Sequence, residues 1–227
     1  MMQQIDVGLT DCLKELHLPT VRECYNEQAD LARRESLSYE QYLLELVERE
    51  REVRKQNRIN RLLRESKLPV EKTLATFDRK RLPRKIDVQI NVLLNGSFLD
   101  RTENILAFGN PGSGKTHLLC AIGYELVQQG RRILFKSCGL LVQEMLIAKR
   151  DLKLQHFLKQ LAKYNALIID DIGYVQQSSA EMEVLFTLLS YRYERGSVML
   201  TSNLPFSQWE KIFKDTMTTA AARLCCT

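Results

Sequence analysis

The fold class this 227-residue sequence predicts is α/β: a parallel sheet covered by helices, behind a smaller all-helical segment. Three observations predict it. From residue 104 onward, short apolar runs alternate with helix-length stretches. The first of those runs, Ile105-Leu106-Ala107-Phe108, leads into a complete glycine-rich loop with a helix after it. The first ~85 residues read as helical instead.

Residues 10–16 begin an amphipathic helix that Pro19 interrupts, and a second helix runs from there toward residue 34. Ser38-Tyr39-Glu40-Gln41 has the form of a capping box, in which the serine oxygen accepts an early helix N–H and the glutamine reaches back. After it, Tyr39, Tyr42, Leu43, Leu46, Val47 and Val53 keep helical spacing and are expected in the core, as is Tyr25. This helix is expected to run to residue 66, before Lys67-Leu68-Pro69. Residues 69–103 form a joint: Phe77, Leu82, Pro83, a helix near 86–94, and a turn at Asn95-Gly96. Beyond it, strands are expected at 104–109, 132–136, 166–170 and 198–202. Helices are expected at 115–129, 139–148, 152–163, 178–194 and 206–214. The expected organisation is a helical domain over 1–68, the joint over 69–103 and the α/β core over 104–227.

Hydrophobic residues make up 44% of the chain and charged residues 27%, a globular balance. No apolar run approaches the ~20 residues that cross a bilayer. The first residues lack a basic start followed by an apolar stretch, so a cytoplasmic location is expected. None of the six cysteines forms a C-x-x-C pair, which points to free thiols and against a disulfide framework or a zinc site. The net charge of +5 is unevenly spread. Residues 1–48 hold 4 Lys+Arg against 10 Asp+Glu, whereas residues 49–85 hold 14 against 5. Arg54, Lys55, Arg58, Arg61, Arg64 and Lys67 keep largely to one side of a helix. That stripe suits backbone phosphates of a nucleic acid, and equally suits a solvated helix face.

Gly109-Asn110-Pro111-Gly112-Ser113-Gly114-Lys115-Thr116 fits G-x-x-x-x-G-K-[ST] in full. The glycines let successive N–H groups point inward at phosphate oxygens, and the following helix adds the positive end of its dipole. Lys115 is expected on the β- and γ-phosphates and Thr116 on Mg²⁺. With His117, these residues form the candidate nucleotide-binding set; none of His17, His117 and His156 is given a catalytic role. Leu167-Ile168-Ile169-Asp170-Asp171 reads as a buried strand ending in two carboxylates. Asp170 is expected to hold Mg²⁺ and Asp171 to orient or deprotonate the attacking water. The extra strand at 132–136 is expected to separate the loop strand from the Asp strand. An N-K-x-D guanine reader is absent, which argues against a GTPase. The next strand ends in Thr201-Ser202-Asn203, where Asn203 is the candidate to touch the γ-phosphate or the water. Arg192 and Arg195 end the preceding helix and either satisfy its C-terminus or face a neighbouring subunit.

Together, residues ~72–222 resemble the IstB/DnaC group of AAA+ ATPases, and most closely the IstB-like helper ATPases of bacterial insertion sequences. The residues that carry the resemblance are Arg81-Leu82-Pro83-Arg84-Lys85-Ile86-Asp87, the loop 109–116, and Ile168-Ile169-Asp170-Asp171-Ile172-Gly173-Tyr174. They continue with Arg192-Tyr193-Glu194-Arg195, Thr201-Ser202-Asn203-Leu204, Trp209 and Met217-Thr218-Thr219-Ala220-Ala221. The leader Leu13-Lys14-Glu15-Leu16-His17-Leu18-Pro19 is similar as well. The resemblance implies an AAA+ fold, ATP and Mg²⁺ as cofactors, assembly as a homo-oligomer, binding of duplex DNA and a transposase as partner. It also implies that the joint from Ala75 to Pro83 lies against the adenine, and that an Asp-Asp pair at this strand is normal for the group.

One departure concerns the tail. The family continues past its alanine run with Ile-Asp-Arg-Leu, whose arginine is the expected finger, whereas here the sequence reads Ala220-Ala221-Ala222-Arg223-Leu224-Cys225-Cys226-Thr227. Arg223 is out of register with that finger. The expectation is a shortened or frame-shifted end that lacks the fifth strand, or a domain completed by partners. Two other functions therefore stand beside the transposition helper: a DnaC-like helicase loader, and an ATP-binding remnant that does not hydrolyse.

Overall fold

The computed structural model describes residues 2–172 and 178–204. The chain divides into two compact units, Met1–Asn60 and Arg61–Thr227. Helices α1 (Met2–Glu15), α2 (Pro19–Glu35) and most of α3 (Tyr39–Ser66) make up the first.

In that unit the expected capping box is formed in both directions. Gln41 N donates to Ser38 Oγ at 3.2 Å, and Ser38 N donates to Gln41 Oε1 at 2.9 Å. The start of α2 has no local cap, and Pro19 stands at its first turn. Its free amides are satisfied from a distance: Thr20 N and Val21 N donate to the Glu50 carboxylate at 2.8 and 3.1 Å. Glu50 is buried and also accepts from Arg54 Nε at 2.6 Å, while Arg54 Nη2 donates to the His17 carbonyl. Burial opposes the Glu50 charge, but the Arg54 bond and the two amides outweigh it and hold its pKa below the ordinary value.

The core here is narrower than the helical spacing suggested. Leu13, Val21, Cys24 and Leu46 are buried, with Leu18, Tyr25 and Tyr42 packed against them. Tyr39, Leu43, Val47 and Val53, all expected inside, are exposed, Tyr39 at 91%. The inward face of α3 in this unit is Tyr42, Leu46 and Glu50, spaced four apart, and the other apolar residues lie on faces beside it.

In the second unit a 3₁₀ turn (Arg79–Arg81), α4 (Arg84–Leu94) and the short α5 (Ser97–Asp100) precede the sheet. The order is then β1 (Ile105–Phe108), α6 (Lys115–Gln128), β2 (Ile133–Ser137), α7 (Cys138–Arg150), α8 (Leu154–Leu161), β3 (Ala166–Asp170), α9 (Ser179–Arg192) and β4 (Ser197–Ser202). The described sheet is parallel throughout, in the order β1-β4-β3-β2. This is the expected AAA+ type α/β architecture, with one correction. The strand standing between the loop strand and the Asp strand is β4; β2, the expected separator, lies at the far edge and intervenes only in sequence. Chain order does not dictate sheet order when every connection is a crossover.

Both faces of the sheet are covered, so its central strands are apolar at successive positions. Ala166, Ile168 and Met199 pack with Leu119, Ile122 and Leu126 of α6. Leu167, Ile169 and Leu200 pack with Leu141 and Met145 of α7 and Leu185 and Leu188 of α9. Alternation along β3 therefore assigns Asp170 to the α6 face, and alternation along β4 assigns Thr201 to the same face.

The opposite, N-terminal edge of the sheet is closed by Arg192. This side chain is buried and donates to the carbonyls of Leu161, Tyr164, Asn165 and Ser197 at 2.9–3.1 Å. Burial lowers its pKa to about 10. A Cβ at Gly196 would stand 2.4 Å from Arg192 Nη2, so a side chain there would push the guanidinium from its place among the carbonyls. Neither reading offered for Arg192 holds: the side chain is buried rather than turned to a neighbour, and the carbonyls it satisfies belong to the segment before β3 and to β4, not to the C-terminus of its own helix.

The expected helix at 206–214, Trp209, Met217–Ala221, Arg223, Cys225, Cys226 and the tail lie outside the described residues, as do Gly173 and Tyr174. Among the described residues no helix is long and apolar enough to cross a membrane.

Candidate active site

The site forms where β1, β3 and β4 end. Gly112 and Gly114 adopt φ of 77° and 87°, a left-handed backbone that favours glycine. Gly114 caps α6 without any side-chain acceptor, so the first amides of the helix are left for an anion. Lys115 Nζ folds back on the loop, donating to the carbonyls of Gly109 at 2.8 Å and Asn110 at 3.0 Å.

Behind the loop, Asp170 Oδ1 accepts from Thr116 Oγ1 and from Thr201 Oγ1, both at 2.6 Å. Thr201 Oγ1 in turn accepts from Asp171 N at 2.8 Å. Asp171 has left the strand with φ 61°, in a region non-glycine residues seldom occupy. Burial pushes its pKa up, and the neighbouring Asp170 charge adds to that, while Lys115 and Lys72 pull the other way.

A cavity of about 380 Å³ opens on this arrangement. Lys115, Thr116, His117, Asp171 and Asn203 line it, with Pro111, Gly112 and Gly114 from the loop and Lys72 from the joint. Asn203 Oδ1 is buried and has no hydrogen-bond partner among the described residues, an acceptor that a bound water or ligand can satisfy. A second cavity, of about 440 Å³, shares Gly114 and Lys115 with the first. Phe77, Leu82, Ile86, Ile90 and Leu118 give it apolar walls. The cavity lined by the glycine-rich loop thus adjoins one whose apolar walls suit a base and sugar.

The joint is fastened to the loop at this point. His117 Nε2 donates to the Thr73 carbonyl at 3.0 Å and lies 3.1 Å from Thr76 Oγ1. Its ring meets Phe77 edge-on at 5.1 Å, and a Cβ on Gly114 would stand 3.3 Å from Phe77.

Of the residues expected from sequence, Pro111, Gly112, Gly114, Lys115, Thr116, His117, Asp171 and Asn203 share the first cavity. Gly109 and Ser113 line the second, and Asp170 bonds Thr116 directly. Asn110 lines neither, contributing its carbonyl to Lys115. Of the joint segment expected against the adenine, Phe77 and Leu82 line the second cavity. Two residues escaped the sequence reading as site members. Thr201 had a signal, a hydroxyl inside a strand that is otherwise apolar from Val198 to Leu200. Lys72 had none, because only the folding-back of the joint brings it here.

Thr116 and Asp170 offer a hydroxyl and a carboxylate oxygen to each other across 2.6 Å, a donor set that fits a hard cation such as Mg²⁺. Among the described residues no group of three or more His, Cys, Asp or Glu side chains is arranged to hold a metal. A cation at this position therefore needs phosphate or water oxygens to complete its shell.

Away from the site, Arg54, Lys55, Arg58, Arg61, Arg64 and Lys67 are all exposed. Arg54 is tied to Glu50, while Lys55 and Arg61 stand 3.9 Å from Glu52 and Glu65. Cys120, within α6, is buried, and burial pushes its thiol up to about 12. Arg195 lies 5.2 Å over the Tyr191 ring, next to the N-terminal edge of the sheet and so away from the strand ends that carry the loop.

Comparison with known proteins gives a consistent picture. The family model described as IstB-like ATP binding protein matches residues 11–224. An insertion sequence ATP-binding protein of Sinorhizobium fredii is 41% identical over 211 residues, covering 92% of this chain and 71% of its own. The ATP-binding protein of insertion sequence IS5376 from Geobacillus stearothermophilus is 37% identical, covering 91% and 82%. Among solved structures, a DnaC helicase loader superposes with a TM-score of 0.60 at 19% identity over 70% of this chain and 95% of its own. AMPPCP-bound DnaA from Aquifex aeolicus gives 0.59 at 20% identity, over 69% and 48%. Those two likenesses are of fold.

Proposed function

The chain belongs to the IstB-like ATP-binding proteins, and from that premise we propose that it is a Mg²⁺-dependent ATPase that binds duplex DNA and helps an insertion-sequence transposase engage its target. The observation that carries the reading is one cavity bringing together Lys115, Thr116, Asp171 and the unpartnered Asn203 Oδ1, with Asp170 bonded behind it.

In this reading the loop amides and the α6 N-terminus bind the phosphates, and Lys115 exchanges its two carbonyl partners for β- and γ-phosphate oxygens. Thr116 and Asp170 would hold a divalent cation, which would supply positive charge to those oxygens. Thr201 fixes the rotamer of Asp170 and the backbone of Asp171. Asn203 Oδ1 accepts one hydrogen of the attacking water, and Asp171 takes the proton that the water loses. The water oxygen bonds to the γ-phosphorus, and the bond to the β–γ bridging oxygen breaks with its electron pair left on ADP. Phe77, Leu82 and Ile90 cover the adenosine.

The exposed basic residues of α3 and Lys67 are the duplex-binding track, acting through backbone phosphates, and a homo-oligomer working in the cytoplasm is the acting form. The division into a helical 1–68, a joint 69–103 and a core 104–227 belongs to the same proposal. The test is steady-state hydrolysis against rising protein concentration, without DNA, with duplex and with single strands. Specific activity that climbs with concentration and with duplex supports the helper. Stimulation mainly by single strands assigns a helicase-loader role instead, and ATP binding without turnover in every condition assigns a binding remnant.

A further inference from the structure

The phosphate cavity contains a cation that the loop motif does not supply. Lys72 lines it together with Lys115, Thr116, Asp171 and Asn203. Lys115 is engaged by two carbonyls, whereas among the described residues the Lys72 ammonium has neither a carboxylate nor a carbonyl partner. The side chain is half-buried, so a long flexible cation is held at the cavity wall, near enough to Asp171 to act on its charge but in no ion pair with it among the described residues.

Its backbone is fixed to the loop's own helix. His117, in the first turn of α6, grips the carbonyl of the very next residue, Thr73. Thr76 Oγ1 closes the same turn by donating to the Glu71 carbonyl at 2.6 Å and accepting from Thr73 N at 3.2 Å. Phe77 rests on Gly114. Two contacts thus hold the segment carrying Lys72 against the residues that bind phosphate, His117 on Thr73 and Phe77 on Gly114, and Thr76 closes the turn within the segment itself. Asp171 and Asn203, from the ends of β3 and β4, line the same cavity, and the ATPase reading puts the last phosphate and the attacking water beside them.

We infer that Lys72 is a second phosphate-binding cation, supplied by the joint within the same chain, and that it contacts the terminal phosphate of a bound nucleoside triphosphate. The inference rests on the ATPase reading above. A cation directed at the terminal phosphate distinguishes triphosphate from diphosphate, whereas Lys115, which spans β- and γ-oxygens, strengthens both. The joint also becomes sensitive to which nucleotide is bound, because the residue that senses it is next to the one His117 holds.

The experiment is calorimetric titration of AMPPCP and of ADP, each with Mg²⁺, into the full chain and its Lys72→Met and Lys72→Arg variants. Lys72→Met is expected to weaken AMPPCP about 10–100-fold, the range for losing one charge-assisted bond, and to change ADP by less than about threefold. Lys72→Arg, which keeps the charge, is expected to stay within about threefold of the parent for both. Equal loss for both nucleotides, or no loss for either, overturns the inference while leaving the ATPase reading in place. A parent chain that binds neither nucleotide overturns both.

Discussion

Polar groups are buried at both ends of the strands, and the two ends use them differently. At the N-terminal edge, Arg192 is satisfied from within: four carbonyls accept from it, only its Nε lacks a partner, and Gly196 leaves it room. At the C-terminal edge, Asn203 Oδ1 has no partner among the described residues, Asp171 sits at φ 61° with a raised pKa, and Lys115 rests on carbonyls that a phosphate can replace. The comparison separates two kinds of buried polarity. At the N-terminal end the atoms unpartnered among the described residues, Arg192 Nε and Ser197 Oγ, stand beside a guanidinium already held by four carbonyls. At the C-terminal end the unpartnered acceptor lines an open cavity with a strained carboxylate and a displaceable lysine, and that combination marks where a ligand supplies the rest.

The sharpest break of that contrast is Lys115→Ala. Removing the cation that bridges two phosphates is expected to lower hydrolysis by about 10³-fold or more, read as phosphate release, with the melting temperature little changed. Arg192→Met is the mirror experiment. It removes a donor from each of four carbonyls, of which Leu161 O and Asn165 O keep the backbone amides of Tyr164 and Ser197, and is expected to cost about 3 kcal/mol of stability, seen in chemical denaturation, while the folded fraction keeps its specific activity.

Asp171→Asn sharpens the contrast further. Hydrolysis is expected to fall about 10²–10³-fold with AMPPCP binding retained, because the variant removes a proton acceptor and no phosphate ligand. The pH dependence has a definite sign. Asp171 accepts a proton only as the carboxylate, so the rate falls as pH drops through its raised pKa, and that limb vanishes in the variant. Its effect on stability runs the other way: a raised folded pKa favours folding below the unfolded value, and that contribution is lost as pH rises through the folded one. Asp171→Asn is therefore expected to melt higher than the parent at neutral pH, with the gap closing in acid.

The smallest effect is expected at Glu50, the internally satisfied group of the helical unit. Glu50→Ala leaves two α2 amides uncapped and is expected to cost about 1–2 kcal/mol. Because its folded pKa is lowered, the stability it contributes is present above the unfolded value and lost as pH falls through the folded one. The parent and variant should converge in acid denaturation curves.

Much of this molecule is local and was legible as such. The loop 109–116, the strand ending in Asp170 and Asp171, the capping box at Ser38 and the helix ends near Pro19 and Gly96 follow from a few adjacent residues, because backbone preference and phosphate geometry act over that range. The helical face of α3 was legible only in part. Spacing marked Tyr39, Leu43 and Val47 as apolar, but which of them face inward depends on how little of the helix α1 and α2 cover.

The sequence by itself determined the element types, the phosphate loop, the acidic strand end and the family. The tertiary structure alone decided that β4, not β2, lies between β1 and β3, and so that Thr201 reaches Asp170. It also decided that Arg192 closes the far edge and that Lys72 enters the phosphate cavity. The reason is range. Hydrophobic period and turn chemistry act over a few residues, while strand order and the return of the joint onto α6 depend on partners tens of residues away.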